Sequence, residues 1–262
     1  MARASMVALP VFAAVLYGGV IPREPLVRRV SPQSIQVGAF YNGTNVAVEG
    51  SVEAGSGVIV TVTGSENEAV FNKKVRFGPI WINSGKVRIS STPSVFLRFS
   101  STPIACLLPP GMIAKYRLDE ASLIWDMRIA PRSHDGRAEA AWCRSYLSMK
   151  KGDGSYAFAS AGVRLADTSG GASFVLRFPW PKQAAPGAYT IHVYEIKDAA
   201  VIRQAEVLMP VVRTGFPAWL ASLAGDHASL YGTSAVVIGA LAGFGIDFLA
   251  TLLFGKKRSV SH

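Results

Sequence analysis

The chain alternates between stretches of period-two hydrophobicity and uninterrupted apolar runs. From residue 31 to 100, short segments put apolar side chains at every second position. In 34–41, Ile35, Val37, Ala39 and Tyr41 share one face, and in 44–50 Val46 and Val48 alternate with polar neighbours. Asn42-Gly43 lies between these two segments and is the strongest two-residue hairpin signal, so the pair predicts a β-hairpin. Segment 57–63 puts Val58, Val60 and Val62 on one face and Ile59, Thr61 and Thr63 on the other. That two-sided pattern predicts a central strand. Segments 68–77, 80–83, 86–90 and 94–99 complete the series, with Gly, Ser, Asn or Pro at most junctions. Strands at such short, regular spacing predict a β-sandwich.

The rhythm breaks over 101–171. Leu107-Leu108-Pro109-Pro110-Gly111 reads as a loop, and 116–129 fits a helix or a strand equally. Residues 135–151 predict a helix. Asp135 can cap its start, Glu139 suits its positive end, and Lys150 and Lys151 suit its negative end. Ala138, Trp142, Tyr146 and Met149 fall on one face, which is expected to pack on the sheet. Strands return after 172. Phe174, Leu176 and Phe178 alternate, and Pro179-Trp180-Pro181 closes that strand because neither proline can donate to a ladder. Pro186-Gly187 turns into 188–197, and Asp198-Ala199-Ala200 turns into 201–213. A Pro-Gly turn followed by a long tyrosine-bearing hairpin is how many immunoglobulin-like sandwiches finish. The fold class that follows is mainly β: an immunoglobulin-like β-sandwich ectodomain over 31–213, a helical insertion over about 112–151, and a single C-terminal transmembrane helix.

That helix is predicted over 233–254, a segment of 22 residues with one charge, Asp247. At about 1.5 Å per residue it reaches roughly 33 Å, enough to cross a bilayer core. Its Val, Ile, Leu and Phe residues favour insertion by about 3 to 6 kcal/mol, against about 2.5 to 3.5 for one central Asp. Lys256, Lys257 and Arg258 follow in a tail over 255–262, so the positive-inside rule puts the C-terminus in the cytoplasm and the bulk of the chain outside. Export of that bulk requires a signal. Residues 1–22 supply one as a signal peptide or signal anchor, with Arg3 ahead of an apolar run and no A-x-A cleavage motif. The juxtamembrane piece over 214–232 carries Phe216, Trp219, Leu220, Leu223, Leu230 and Tyr231. These suit the head-group level or a helix buried beneath the sandwich equally well.

Charge and chemistry narrow the function classes. The net charge is +10, but the cations are scattered. There is no basic stripe or aromatic-basic repeat, so nucleic acid is not an expected partner. Cys106 and Cys143 form no CxxC; outside the cytoplasm they can make one disulfide or remain two buried thiols. The four histidines, His134, His192, His227 and His262, stand at no metal-ligand spacing. His192 alternates with Thr190 and Tyr194 and is expected to face solvent or a groove. No nucleophile elbow, P-loop or dinucleotide fingerprint occurs, so no catalytic residue, metal or cofactor is assigned. Trp81 and Asn83 in IWIN fit either a binding groove or a core tryptophan followed by a turn asparagine. Within the span, Ala235, Gly239, Gly243, Asp247 and Thr251 recur every fourth residue. Such a small and polar stripe lets helices approach closely and keeps the Asp away from lipid. The expected partners are therefore the lipid bilayer and, through Gly239, Gly243, Asp247 and Thr251, a membrane protein or a second copy. Binding or assembly is the function read from these features; an extracytoplasmic enzyme and a structural envelope protein are the alternatives.

Four segments follow one another in a recognisable order: SPQSIQVGAFYNGTNVAVEGSV, VIVTVTGSENEAVFNKKVRFGPIWIN, FVLRFPWPKQAAPGAYTIHVYEIKDAAVI and SLYGTSAVVIGALAGFGIDFLATLLFGKK. In them the chain resembles a family of predicted transmembrane proteins known mainly from alphaproteobacteria, with no assigned activity. The most specific parts are GPIWIN at 78–83, the PGAY turn and the YG-led span. The resemblance implies a signal-led periplasmic domain and one C-terminal span in a bacterial inner membrane. Genes for proteins that look like this often lie near predicted sulfite-exporter-type permeases, which implies a role accessory to sulfur-compound transport. It carries over no catalytic residue, and Asp247 departs from the family pattern.

Overall fold

The computed structural model describes residues 24–131 and 136–255. The signal segment, the Asp135 cap and the basic tail lie outside these residues. The first strands are β1 (Val27–Ser31), β2 (Ile35–Val37), β3 (Asn45–Val52) and β4 (Gly57–Gly64). Next come β5 (Glu66–Phe77), β6 (Ile80–Pro93) and β7 (Phe96–Ser100). The insertion holds α1 (Ile104–Leu107), α2 (Pro110–Lys115), α3 (Glu120–Asp126), β8 (Arg128–Ala130) and α4 (Gly136–Gly152). Then follow β9 (Tyr156–Ala159), β10 (Val163–Thr168), β11 (Gly171–Pro179), β12 (Gly187–Lys197) and β13 (Ala200–Arg213). Helices α5 (Phe216–Asp226) and α6 (Ala228–Phe254) end the described chain.

Two sheets face each other. One has the order β1-β3-β11-β10 and the other β2-β13-β12-β4-β7-β9. Alternation along each strand decides the core. Val46, Val48, Phe174 and Leu176 from the first sheet meet Val58, Val60, Val62, Ile191 and Val193 from the second. Gly50 marks the tightest approach: an added Cβ would lie 1.9 Å from the Leu26 carbonyl oxygen and 2.5 Å from the Phe174 ring. The central-strand reading of 57–63 holds, because β4 is flanked by β12 and β7 and its second face is also covered. There Ile59, with Tyr194 and Ile196 of β12, packs on Leu108, Ile113 and Leu118 of the insertion. The insertion is thus a third, helical layer over the larger sheet.

Several expectations are corrected. Asn42-Gly43 closes no hairpin: β2 pairs with β13 in one sheet while β3 pairs with β1 and β11 in the other. The connection crosses between sheets, and Lys182 Nζ donates to Asn42 Oδ1 at 3.0 Å. The loop around Pro109-Pro110 includes the start of a helix, with Pro110 in the first turn, where its missing N–H is not needed. Helix α4 presents Cys143, Tyr146, Leu147 and Lys150 inward, whereas Met149 is exposed, so the buried stripe is rotated from the expected one. At the last hairpin, Asp198 and Ala199 both take positive φ, 51° and 58°. Two-residue turns of this kind match the right-handed strand twist, and here the match outweighs the strain on a non-glycine residue.

The largest departure is an arm. Segments 80–83 and 86–90 are one strand, β6, paired with β5 in a long hairpin. The pairing register of β4 with β7, Thr63 with Phe96, passes without a slip into that of β5 with β6, Glu66 with Pro93. The arm is therefore the central β4–β7 ribbon carried on past the end of the sheet. Two bulges put an extra residue in β6, near Ser91 and Gly85, whose φ values are 59° and 123°. Near its root the arm rests on α4: Phe71 meets Trp142 and Tyr146, and Thr92 Oγ1 shares a 3.0 Å hydrogen bond with the Tyr146 hydroxyl. Strand β13 ends at the same end of the sheet, since Tyr189 pairs with both Met209 and Gly64. Arm and C-terminal helices leave the sandwich together.

Candidate binding cleft

A cleft of about 270 Å³ opens on the outer face of the larger sheet, between the helical layer and the root of the arm. Its floor follows from strand alternation. Val60 and Val62 point inward, so Thr61 and Thr63 point out; Ile191 and Val193 point inward, so His192 and Tyr194 point out. Tyr116 and Arg117 enter after α2, Leu123 and Asp126 from α3, and Glu66 and Ser91 from the arm root. The rings of His192 and Tyr194 stack with centroids 6.2 Å apart, and Tyr116 meets Tyr194 edge-on at 5.5 Å. Arg117 Nη1 lies 3.2 Å from Asp126 Oδ2, and His192 Nδ1 lies 4.0 Å from Glu206 Oε2. Burial pushes the Tyr194 hydroxyl above its ordinary pKa, against the smaller opposite effect of a hydrogen bond with Thr61. Arg117 and Ser91 take φ of 53° and 59°, in the left-handed region that non-glycine residues rarely occupy. Such strain concentrates at ligand clamps and active sites. The arrangement offers aromatic faces, one cation and two carboxylates to a polar ligand. Among the described residues no cluster of three His, Cys, Asp or Glu side chains can hold a metal.

A second charged constellation sits at the opposite end of the sandwich. Glu195 is fully buried and accepts from Arg203 Nε at 2.5 Å and from the Glu53 N–H at 2.6 Å. Arg203 also donates to the carbonyls of Glu24 and Ser51, at 3.0 and 3.2 Å. Each of the three guanidinium nitrogens has a backbone or carboxylate partner, so this network ties the N-terminal segment, β3, β12 and β13 together. Its role is structural.

The residues singled out in the sequence fall elsewhere. Trp81 is 65% exposed near the tip of the arm, paired with Arg76, and Asn83 is paired with Lys74; neither lines the cleft. Cys106 is exposed on α1 and Cys143 is buried on α4, and both are free thiols. Gly239 and Gly243 have open space where a Cβ would stand. Asp247 and Thr251 are exposed on the same helix, and the Thr251 hydroxyl donates to the Asp247 carbonyl at 2.8 Å. The alternation in sequence leaves His192 facing solvent or a groove, and the structure puts it in the cleft; nothing in the sequence marks Tyr116, Arg117, Asp126 and Glu66. They come from separate elements with no common spacing, and only the packing of α2 and α3 on the sheet brings them together.

No described residue of α5 is buried, and its Phe216 and Trp219 are exposed with ring centroids 5.6 Å apart. Helix α6 has 27 residues. Within its segment Ala228–Leu252 an 18-residue window has a mean hydropathy of 2.0, and none of that window is buried. A mainly β domain followed by one long, uncovered apolar helix is the anatomy of a transmembrane protein with a single candidate C-terminal span. A family model described as Putative transmembrane protein (Alph_Pro_TM) matches residues 25–251, and the chain belongs to that family. No curated protein and no solved structure gives a significant match.

Proposed function

We propose that this chain is a membrane-anchored binding or assembly protein whose β domain lies in the periplasm and whose C-terminus is cytoplasmic, serving as an accessory to a membrane transporter. The observation that carries the reading is α6. It is long and apolar enough to span a bilayer, and none of its described residues is buried. In water such a surface would be covered; a lipid environment makes it favourable as it stands. On α6 the open-sided Gly239 and Gly243, with Asp247 and Thr251, form the face offered to a membrane-protein partner or a second copy. The cleft beneath the helical layer is the site for an extracytoplasmic ligand. Sulfur-compound transport enters through the family resemblance.

Strand order supports an immunoglobulin-like reading of the sandwich. If β1, β2, β3 and β4 are lettered A, A′, B and C, and β10 to β13 D to G, the sheets run A-B-E-D and A′-G-F-C. Tyr189, at the start of the F-like strand, donates its hydroxyl to the Ala185 carbonyl at 2.6 Å, as a tyrosine corner does. The parallel pairing of β7 with β9 departs from that pattern.

The test is purification of the full chain from its own membranes in mild detergent, with identification of copurifying proteins. The expected result is a polytopic transporter that is lost with Gly243→Ile and with Asp247→Leu. An unchanged partner set in both variants removes the α6 face from the reading. A β domain that survives protease added outside spheroplasts, but not after lysis, overturns the topology.

A further inference from the structure

The outer half of the β5–β6 arm is a large apolar surface that, among the described residues, neither the sandwich core nor the helical layer covers. Its tip is a two-residue turn, Gly78-Pro79, between the paired Phe77 and Ile80. Gly78 supplies the positive φ of 60° that such a turn needs at its first position. Because side chains alternate and pair across the ribbon, Val75, Phe77, Ile80 and Ile82 share one face. Phe77 is 73% exposed and Ile80 57%. Trp81 lies on the other face beside Arg76. The stretch 69–90 contains Lys73, Lys74, Arg76, Lys86 and Arg88 and no acidic residue. An apolar face ringed by cations, with an interfacial tryptophan, complements an anionic lipid surface.

Position and reach agree. The arm leaves the sandwich at the end from which β13 leads to α5 and α6. The 12 residues of β5 extend roughly 40 Å, while α5, with 11 residues, is only about 16 Å long. The arm is therefore long enough to meet the surface that α6 enters. Depth is limited by the backbone. Among the described residues, both edges of the ribbon are unpaired beyond the short pairing of β8 with Arg88–Ser90, and unpaired backbone groups are not tolerated in hydrocarbon.

From these observations we propose that the arm tip is a second membrane contact. Phe77, Ile80 and Trp81 enter the head-group layer of the leaflet that α6 penetrates, and Lys73, Lys74 and Arg76 bind its anionic lipids. The domain is then held at two points, by a spanning helix and by a hairpin foot, which fixes the orientation of the cleft over the bilayer. This rests on the anchor reading of α6.

The experiment uses the full chain in lipid nanodiscs. In a Cys106→Ser, Cys143→Ala background, an environment-sensitive dye is attached to Ile80→Cys, and in a separate sample to Ser169→Cys at the opposite end of the sandwich. In phosphatidylcholine discs containing phosphatidylglycerol, the Ile80→Cys dye should shift to the blue and be quenched by shallow spin-labelled lipid, while the Ser169→Cys dye stays aqueous. Replacing Lys73, Lys74 and Arg76 with Gln should remove most of that quenching while leaving the melting curve unchanged. An aqueous Ile80→Cys dye in chain-loaded phosphatidylglycerol discs overturns the lipid contact and leaves the anchor standing. A dye shielded only after solubilised membrane proteins are added also overturns it, in favour of a protein partner. A chain that does not enter discs at all overturns the anchor and this contact together.

Discussion

The sandwich interior and the two elements that leave one end of it together are built from the same residues put to opposite use. Val60, Phe174 and Ile191 have no exposed surface, whereas Phe77 on the arm and Phe244 on α6 are 73% and 75% exposed. Side-chain type does not separate the two groups; what differs is the second surface each one meets. In the sandwich, each apolar face is covered by another part of the same chain. On the outer half of the arm and on α6 no described residue provides that cover. An exposed apolar surface of this extent marks an interaction site.

The comparison can be tested by substitution, and the largest effects belong to the sandwich. Gly50→Ala should abolish a cooperative melt of the full chain in detergent. The added methyl meets a backbone carbonyl, which cannot swing away, and overpacking of this kind costs about 3 kcal/mol or more. Phe174→Ala should cost about 3 to 5 kcal/mol in chemical denaturation, because it empties a fully buried site between the sheets. A similar loss of about 3 to 5 kcal/mol is expected for Arg203→Met, which leaves the buried Glu195 carboxylate without its cation. A melt of the Arg203→Met variant that matched the parent would show that the Glu53 N–H alone satisfies that carboxylate.

Next in size is a pH effect. Burial raises the hydroxyl pKa values of Tyr156, Tyr189 and Tyr194 above the ordinary 10.0. In the unfolded chain these groups lose protons from about pH 10, while the folded protein still holds them. The unfolded state then binds fewer protons, so stability is fully present below pH 10 and falls as pH rises above it. Denaturant midpoints measured from pH 8 to 11 should show the decline, and Tyr156→Phe should flatten it. The smallest effects belong to the arm. Phe77→Ser and Trp81→Ser should change stability by no more than about 0.5 kcal/mol, because neither side chain packs on the core. A larger loss in either variant would mean that the arm tip is covered by this chain itself, and the contrast between the two regions would fail.

Legibility from sequence followed the range of the interactions. Strand β4 was readable because its two-sided apolar pattern is local to eight residues. Helix α6 was readable because a run of apolar residues needs no partner to be recognised, although it begins at Ala228, ahead of the predicted start. Asn42-Gly43 misled, since a turn signal says that the chain bends and not which strand receives it. Alternation alone divides residues 80–90 into two strands at Ser84-Gly85, where the structure has a bulge within one. The cleft was nearly invisible, because Tyr116, Arg117, Asp126 and His192 meet only through packing.

Period-two alternation and the apolar C-terminal run were enough to fix a mainly β chain with one candidate span, because both are local properties of solvation. Which sheet each strand joins depends on long-range pairing energies that carry no local mark. So does the uninterrupted passage of the β4–β7 ribbon into an exposed arm. The tertiary structure alone decided that this arm and α6 leave the same end of the sandwich, because that relation is set by the pairing of β12 with both β4 and β13.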